Sequence, residues 1–207
     1  IGFTPRHEWK GIGVEIDVAR KVTEQSYEIN VPANYGHWLW GRLMELGEKY
    51  NITPYGTEAM HLLRAEKGFI IVGQDTDGTV TPHDLRMGWA VKKNADFVGR
   101  RSLFRSDTLR EDRLQLVGLL SEDRDKVLME GAQIIASADD TQKPVRMLGH
   151  VTSSYYSPNV ERSIALALVE GGAKRMGDTL YASVTGETPV PVRVTETDFI
   201  DVCKGAA

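Results

Sequence analysis

The residue with the most specific chemistry on offer lies in "SYEINVP", residues 26–32, where Glu28 stands between Tyr27 and Ile29. In a strand, Tyr27 and Ile29 point to one face and Glu28 to the other. If that face is enclosed, the carboxylate can accept two parallel hydrogen bonds from an amidine-like N–H pair, the pattern on the edge of a pterin or guanine ring. A glutamate on a solvated strand face gives the same pattern, so spacing alone leaves both readings open.

A second group of ionisable residues fills "LLRAEKGFIIVGQDTDGTVTP", residues 62–82. Arg64 and Glu66 are two apart and do not share a helix face, so each needs its own partner, and a surface pair is the plain reading. Asp75, Asp77 and Gly78 superficially suggest a calcium loop. With Asp75 in the first position, however, the twelfth-position glutamate is replaced by Arg86 and the glycine falls too early, so no metal is expected. "GIGVEI" lacks the third glycine of a dinucleotide fingerprint, and no HExxH, G-x-S-x-G or Ser-His-Asp pattern occurs. Cys203 is the only cysteine, which excludes an internal disulfide. Lys204 gives a weak reason for a lowered thiol pKa, and an inert terminal thiol is expected.

Elements must position these groups. "GIGVEIDVAR" and "SYEINVP" alternate as two strands joined by "KVTEQ", and Pro32 ends the second. Asn34 is the expected N-cap of an amphipathic helix in which Leu39, Leu43, Leu46 and Tyr50 recur on one face, widened by Trp38 and Trp40. Thr57 is the expected cap of a second helix, closed by Gly68 in a left-handed C′ position. "FIIVG" reads as a buried strand, with the surrounding charges outside and its apolar residues inside. Thr81 and Pro82 predict a short helix start, and "GWAV" a strand.

From about Arg113, "RLQLVGLL", "AQIIAS", "RMLGHVTSS", "IALALVE", "TLYASV" and "VPVRVTE" are short apolar runs separated by Gly, Pro, Asp and Asn, which predicts an antiparallel β-barrel or sandwich. The fold class is therefore α+β: a sheet with helices over residues 1–106, a short linker, and a β-barrel domain over 113–207. With 41% apolar residues, 207 residues suffice for a substantial core. The formal charge of −4 is dispersed along the chain, which argues against nucleic acid or an anionic membrane as partner and for a small molecule. No apolar run is long enough to span a bilayer and no signal-peptide pattern opens the chain, so a reducing cytoplasm is expected. The missing initiator Met, with Ile1 entering a strand-like pattern at once, indicates a chain that starts partway into a larger polypeptide.

"LLRAEKGFIIVGQDTDGTVTP", together with "SYEINVP", "FVGRRSL", "GHVTSSYYSP" and "MGDTLYASVTGETPVPVRV", resembles the glycine-cleavage T-protein (aminomethyltransferase) family in order and over most of the chain. The longest stretch is most similar to the C-terminal, folate-binding region of sarcosine oxidase alpha subunits. The resemblance implies a tetrahydrofolate site in which Glu28 meets the pterin, with Tyr27, Arg64 and Trp89 as further cofactor-binding candidates. For Arg64 a structural role fastening its helix is implied equally, and Trp89 fits either a pocket wall or the core. It also implies capture of a one-carbon unit from N-methyl amine oxidation as 5,10-methylenetetrahydrofolate, with FAD, FMN and NAD confined to other segments or to partner subunits of sarcosine oxidase. An aminomethyltransferase, or an assembly domain without catalysis, shares the same motifs. In two places the chain departs from the family. "KVTEQ" replaces its "TGE" turn, and its upstream catalytic aspartate has no counterpart, a role that Asp17 does not fill.

Overall fold

The computed structural model describes residues 6–9, 12–18, 27–139 and 144–204, with side chains over 27–139 and 144–201. It contains two compact units, Ile1–His61 and Leu62–Ala207.

In the first unit, β1 (Arg6–Trp9), β2 (Ile12–Val18) and β3 (Tyr27–Asn30) form an antiparallel sheet in the order β1-β2-β3. Asp17 pairs with Glu28 and Ile16 with Ile29. "KVTEQ" lies outside the described residues. A 3-10 turn at Ala33–Tyr35 leads into α1 (Gly36–Gly47). Asn34 falls inside that turn rather than at the helix start. The N-cap is Tyr35, which makes no side-chain capping bond, because the turn already supplies helical backbone upstream of the position where a cap would act. The apolar face expected of α1 is present, yet no residue of this helix is buried.

α2 (Thr57–Glu66) crosses the sequence boundary between the units. Gly68 closes it as expected, with a φ of +71° and with its amide and that of Phe69 donating to the carbonyls of Ala65 and Arg64. A Cβ at Gly68 would also come within 2.6 Å of the Thr197 carbonyl oxygen, so this position is restricted twice.

The second unit is built on a closed barrel of β4 (Leu114–Ser121), β5 (Gln133–Ile135), β6 (Gly149–Ser157), β7 (Arg162–Glu170), β8 (Thr179–Ser183) and β9 (Val190–Thr195), in the order β4-β7-β6-β5-β8-β9 and antiparallel throughout. All six runs of short apolar sequence become barrel strands. Several read as continuous rather than alternating because both faces are covered. Val117, Leu119, Val151, Ala165, Ala167, Val169, Val192 and Val194 form the interior, whereas Leu116, Leu120, Ile164, Leu166 and Leu168 face outward against Ala65, Leu85 and Phe199 of α3 (Phe199–Lys204). Residues 62–106 thus fall within the barrel's compact unit, a different cut from the division into 1–106 and 113–207, because their apolar side chains cover the barrel's outer face.

Three local expectations are corrected. "FIIVG" is irregular chain that runs into a tight turn rather than a buried strand: the amides of Gln74 and Asp75 both donate to the Ile71 carbonyl, and Val72 is 85% exposed. "GWAV" contains a 3-10 turn, Gly88–Ala90, instead of a strand. The segment after Pro82 stays a hydrogen-bonded turn: Thr81 and Asp84 exchange the reciprocal bonds of a helix start, as expected of Thr81, but Arg86 takes a φ of +61° and ends the segment before a helix forms.

Candidate functional site

Glu28 is on β3 and exposed, and so is Tyr27 beside it at 62%. Adjacent strand residues face opposite ways, so both faces of the strand are open at this point. The enclosed face expected around Glu28 is not formed by the described residues. What β3 does present is an accessible carboxylate next to an accessible aromatic ring. Trp89, in the 3-10 turn of the second unit, is 82% exposed and so is not a core residue. It is not among the partners of Arg64.

Arg64 lies inside the second unit, and its partners explain the charged segment that surrounds it. Nη1 donates to Asp75 Oδ2 at 2.5 Å and to the Phe69 carbonyl at 3.1 Å, while Nη2 donates to Ser153 Oγ at 2.8 Å and Tyr155 OH at 3.3 Å. Asp75 is fully buried. Its Oδ2 also accepts from the Ile71 amide at 2.8 Å, and its Oδ1 accepts from the Thr152 and Ser153 hydroxyls at 2.5 and 2.6 Å. All four acceptor positions of this carboxylate are taken, the condition under which a buried charge is tolerable.

The local cause is a bulge. The β6–β7 register shifts between Val151 and Ser153. In an undistorted strand Thr152 and Ser153 would point to opposite faces; a bulge re-aims one of them. Both hydroxyls thereby reach one oxygen of Asp75. Arg64 therefore fastens the end of α2 and the turn 69–75 to the barrel, the structural role that the sequence left open for it.

Glu66, two residues on, has a separate partner set, as the helix geometry requires, but it is buried rather than on the surface. Ser157 Oγ donates to it at 2.5 Å and Asn159 Nδ2 to both its oxygens at 3.1 and 2.8 Å. The expectation of charges outside and apolar groups inside is therefore inverted here: Arg64, Glu66 and Asp75 are buried, while Phe69 and Val72 are exposed. Sequence reasoning missed Ser153, Ser157 and Asn159, although the run of small hydroxyl residues in "GHVTSSYYSPN" was the available signal.

A third cluster lies at Asp84, whose carboxylate accepts from the Thr81 amide and hydroxyl, both at 2.8 Å, and from Arg113 Nε and Nη2 at 3.1 and 2.9 Å. Burial works to raise its pKa, but the Arg113 hydrogen bond and the two Thr81 donors outweigh burial and hold it below the ordinary carboxylate value. Asp77 is exposed and closes a turn by accepting from the Thr79 amide and hydroxyl, both at 2.7 Å. It is not drawn towards Asp75, whose oxygens are already engaged.

Residues 7–95 match the GCVT N-terminal domain, and residues 115–201 match the glycine cleavage T-protein C-terminal barrel domain. The chain is 50% identical over 179 residues to the sarcosine oxidase subunit alpha of Corynebacterium sp. (strain P-1), covering 86% of this chain and 18% of that protein. It is 30% identical over 189 residues to an aminomethyltransferase of Thermotoga sp. (strain RQ2), covering 90% of this chain and 49% of that one. The crystal structure of glycine cleavage system aminomethyltransferase T from Bartonella henselae superposes with a TM-score of 0.76 at 24% identity, over 91% of this chain and 50% of that one, which shows a shared fold. The chain thus spans about half the length of the aminomethyltransferases it matches and less than a fifth of the sarcosine oxidase subunit.

Proposed function

Because the chain belongs to the glycine-cleavage T-protein family, we propose that it is the tetrahydrofolate-binding region of a sarcosine oxidase-type alpha subunit, acting where folate takes up a one-carbon unit. The observation that carries this reading is the 50% identity to a sarcosine oxidase subunit alpha across 86% of the chain, spanning both T-protein domains in order.

Tetrahydrofolate, when bound, would supply nucleophilic nitrogens for uptake of the carbon released by N-methyl amine oxidation, as 5,10-methylenetetrahydrofolate. The protein's task is to orient the ring and keep water from the electrophile. The acceptor that β3 offers suits the first part of that task. Glu28 is accessible, and its two oxygens match the paired N–H groups of a pterin edge. Tyr27 and Trp89 offer exposed aromatic faces. Arg64 enters as the residue that holds the 69–75 turn, since its terminal nitrogens are engaged by protein partners. FAD, FMN and NAD belong, in this reading, to other segments or subunits.

An aminomethyltransferase is the second reading, supported by 30% identity over 90% of the chain. Sarcosine-dependent oxygen consumption by the full-length protein distinguishes the two, as only the first reading requires it. Titration of that protein with tetrahydrofolate tests both. Saturable binding is expected, and Glu28→Gln should weaken it by about 1.5–3 kcal/mol without lowering thermal stability. Absence of saturable binding by the folded protein rejects the folate reading, and unchanged affinity in the variant removes Glu28 from the site.

A further inference from the structure

We propose that a cleft of the second unit, bounded by the 3-10 turn Gly88–Ala90, the 3-10 helix Arg100–Phe104 and the start of β4, is a separate binding site for a small organic anion with an apolar body. None of Glu28, Tyr27, Arg64 or Trp89 lines it.

The cleft encloses about 540 Å³, within the range of small-molecule sites. Val91, Phe97, Leu103, Phe104 and Leu109 supply its apolar walls, and Lys92, Lys93 and Arg100 stand among them. The remaining charges that line it are matched inside the protein. Asp84 is held by Arg113, Glu111 pairs with Lys174, and Arg110 pairs with Asp112 and Asp107. Among the described residues, no hydrogen bond or ion pair engages the side chain of Lys92, Lys93 or Arg100. Arg100 is half-buried while Lys92 and Lys93 are exposed, so three cations without protein partners border one apolar concavity, and a bound anion lowers their mutual repulsion.

The backbone sets cation and wall side by side. Gly99, at a φ of +91°, turns the chain so that the Arg100 amide donates to the Phe97 carbonyl at 3.1 Å. The aromatic ring and the guanidinium thus come from one tight turn. Gln115, which also lines the cleft, is fixed by its Oε1 accepting from the Ala173 amide at 2.9 Å, and its Nε2 donors have no protein partner among the described residues. An anion without an apolar body would leave the rings and leucines exposed, and an uncharged apolar ligand would leave the cations unpaired. The combined chemistry selects a molecule carrying both.

The test uses the full-length protein with naphthalene-2-sulfonate and its neutral analogue naphthalene-2-methanol, titrated by calorimetry. The sulfonate is expected to saturate at one per chain and to bind more tightly than the alcohol. The double variant Lys93→Gln/Arg100→Gln should lose about tenfold or more in sulfonate affinity while its affinity for the alcohol holds. Phe104→Ala should weaken both ligands. Glu28→Gln should leave the sulfonate unaffected, so that failure of the folate reading and failure of this one are told apart. Non-saturating binding, equal affinity for the two ligands, an unchanged double variant, or loss of sulfonate binding in Glu28→Gln overturns the proposal.

Discussion

The two units respond differently to the same kind of sequence. α1 carries Trp38, Leu39, Leu43 and Leu46 at helical spacing, and the barrel strands carry equally apolar runs, yet every buried residue among those described lies in the second unit. Apolar periodicity specifies which face favours burial, but not whether the chain in hand supplies the cover. In the barrel, closure covers one face of each strand, and the segment 62–106 with α3 covers part of the other. The polar groups divide in the same way. Asp75 and Glu66 are enclosed among hydrogen-bond donors, whereas Glu28 and Tyr27 are exposed.

The largest expected effect comes from removing the carboxylate at the centre of the enclosed network. Asp75→Ala strands the Arg64 guanidinium in a buried position, leaves the Ser153 hydroxyl without its acceptor and leaves the Thr152 hydroxyl only the Leu166 carbonyl at 3.2 Å. A loss of about 3–5 kcal/mol is expected, read as a fall in the denaturant midpoint. A loss below about 1 kcal/mol would mean that water reaches the pair, and the contrast between closed and open regions would fail.

A matched pair of truncations sharpens the contrast in apolar terms. Leu166 is fully buried against the outer cluster, and Leu166→Ala is expected to cost about 2–5 kcal/mol. Leu46 on α1 is 49% exposed, and Leu46→Ala should stay within about 0.5 kcal/mol in this chain. Equal losses by chemical denaturation would show that α1 has cover within the chain.

The helix end is the next test. Gly68→Ala forces an L-residue into the left-handed region and drives its Cβ towards the Thr197 carbonyl, so a cost of about 2 kcal/mol is expected. Thermal denaturation measures it. An unchanged melting temperature would show that the link between α2 and the segment before α3 yields freely.

These positions also show what the sequence disclosed. Gly68 was legible because a left-handed helix end follows from local chemistry, and the six barrel strands were legible because each is a short apolar run bounded by turn residues. "FIIVG" was not, because its conformation depends on Asp75 reaching back to the Ile71 amide and on Arg64 taking the Phe69 carbonyl. No window of hydrophobicity detects bonds that require Ser153 and Thr152, nearly eighty residues away, to fix Asp75. For Glu28 the type and the strand were legible from alternation, while enclosure is a tertiary property that alternation does not contain. The Lys92–Arg100 cleft was hidden for a related reason: which charges remain unpaired is decided only after folding has matched the others.

The smallest effect is expected at Asp77, the exposed counterpart of Asp75 two residues away. The Thr79 hydroxyl, followed by the Thr79 amide, holds its carboxyl below the ordinary range. A carboxylate whose pKa is lowered by folding stabilises the folded state at pH values above its unfolded pKa of about 3.9, and the contribution is lost as pH falls through the lower folded value. Asp77→Ala should therefore cost about 0.5–1 kcal/mol at neutral pH, kept small by solvent screening, and the gap to the parent protein should close on acidification to below pH 3. Asp77→Asn keeps one acceptor for the Thr79 donors and should recover part of the loss without its pH dependence. Urea titrations at neutral and acid pH measure both. A gap that widens on acidification would reverse the sign, and a loss as large as that of Asp75→Ala would mean that burial is not what separates the two aspartates.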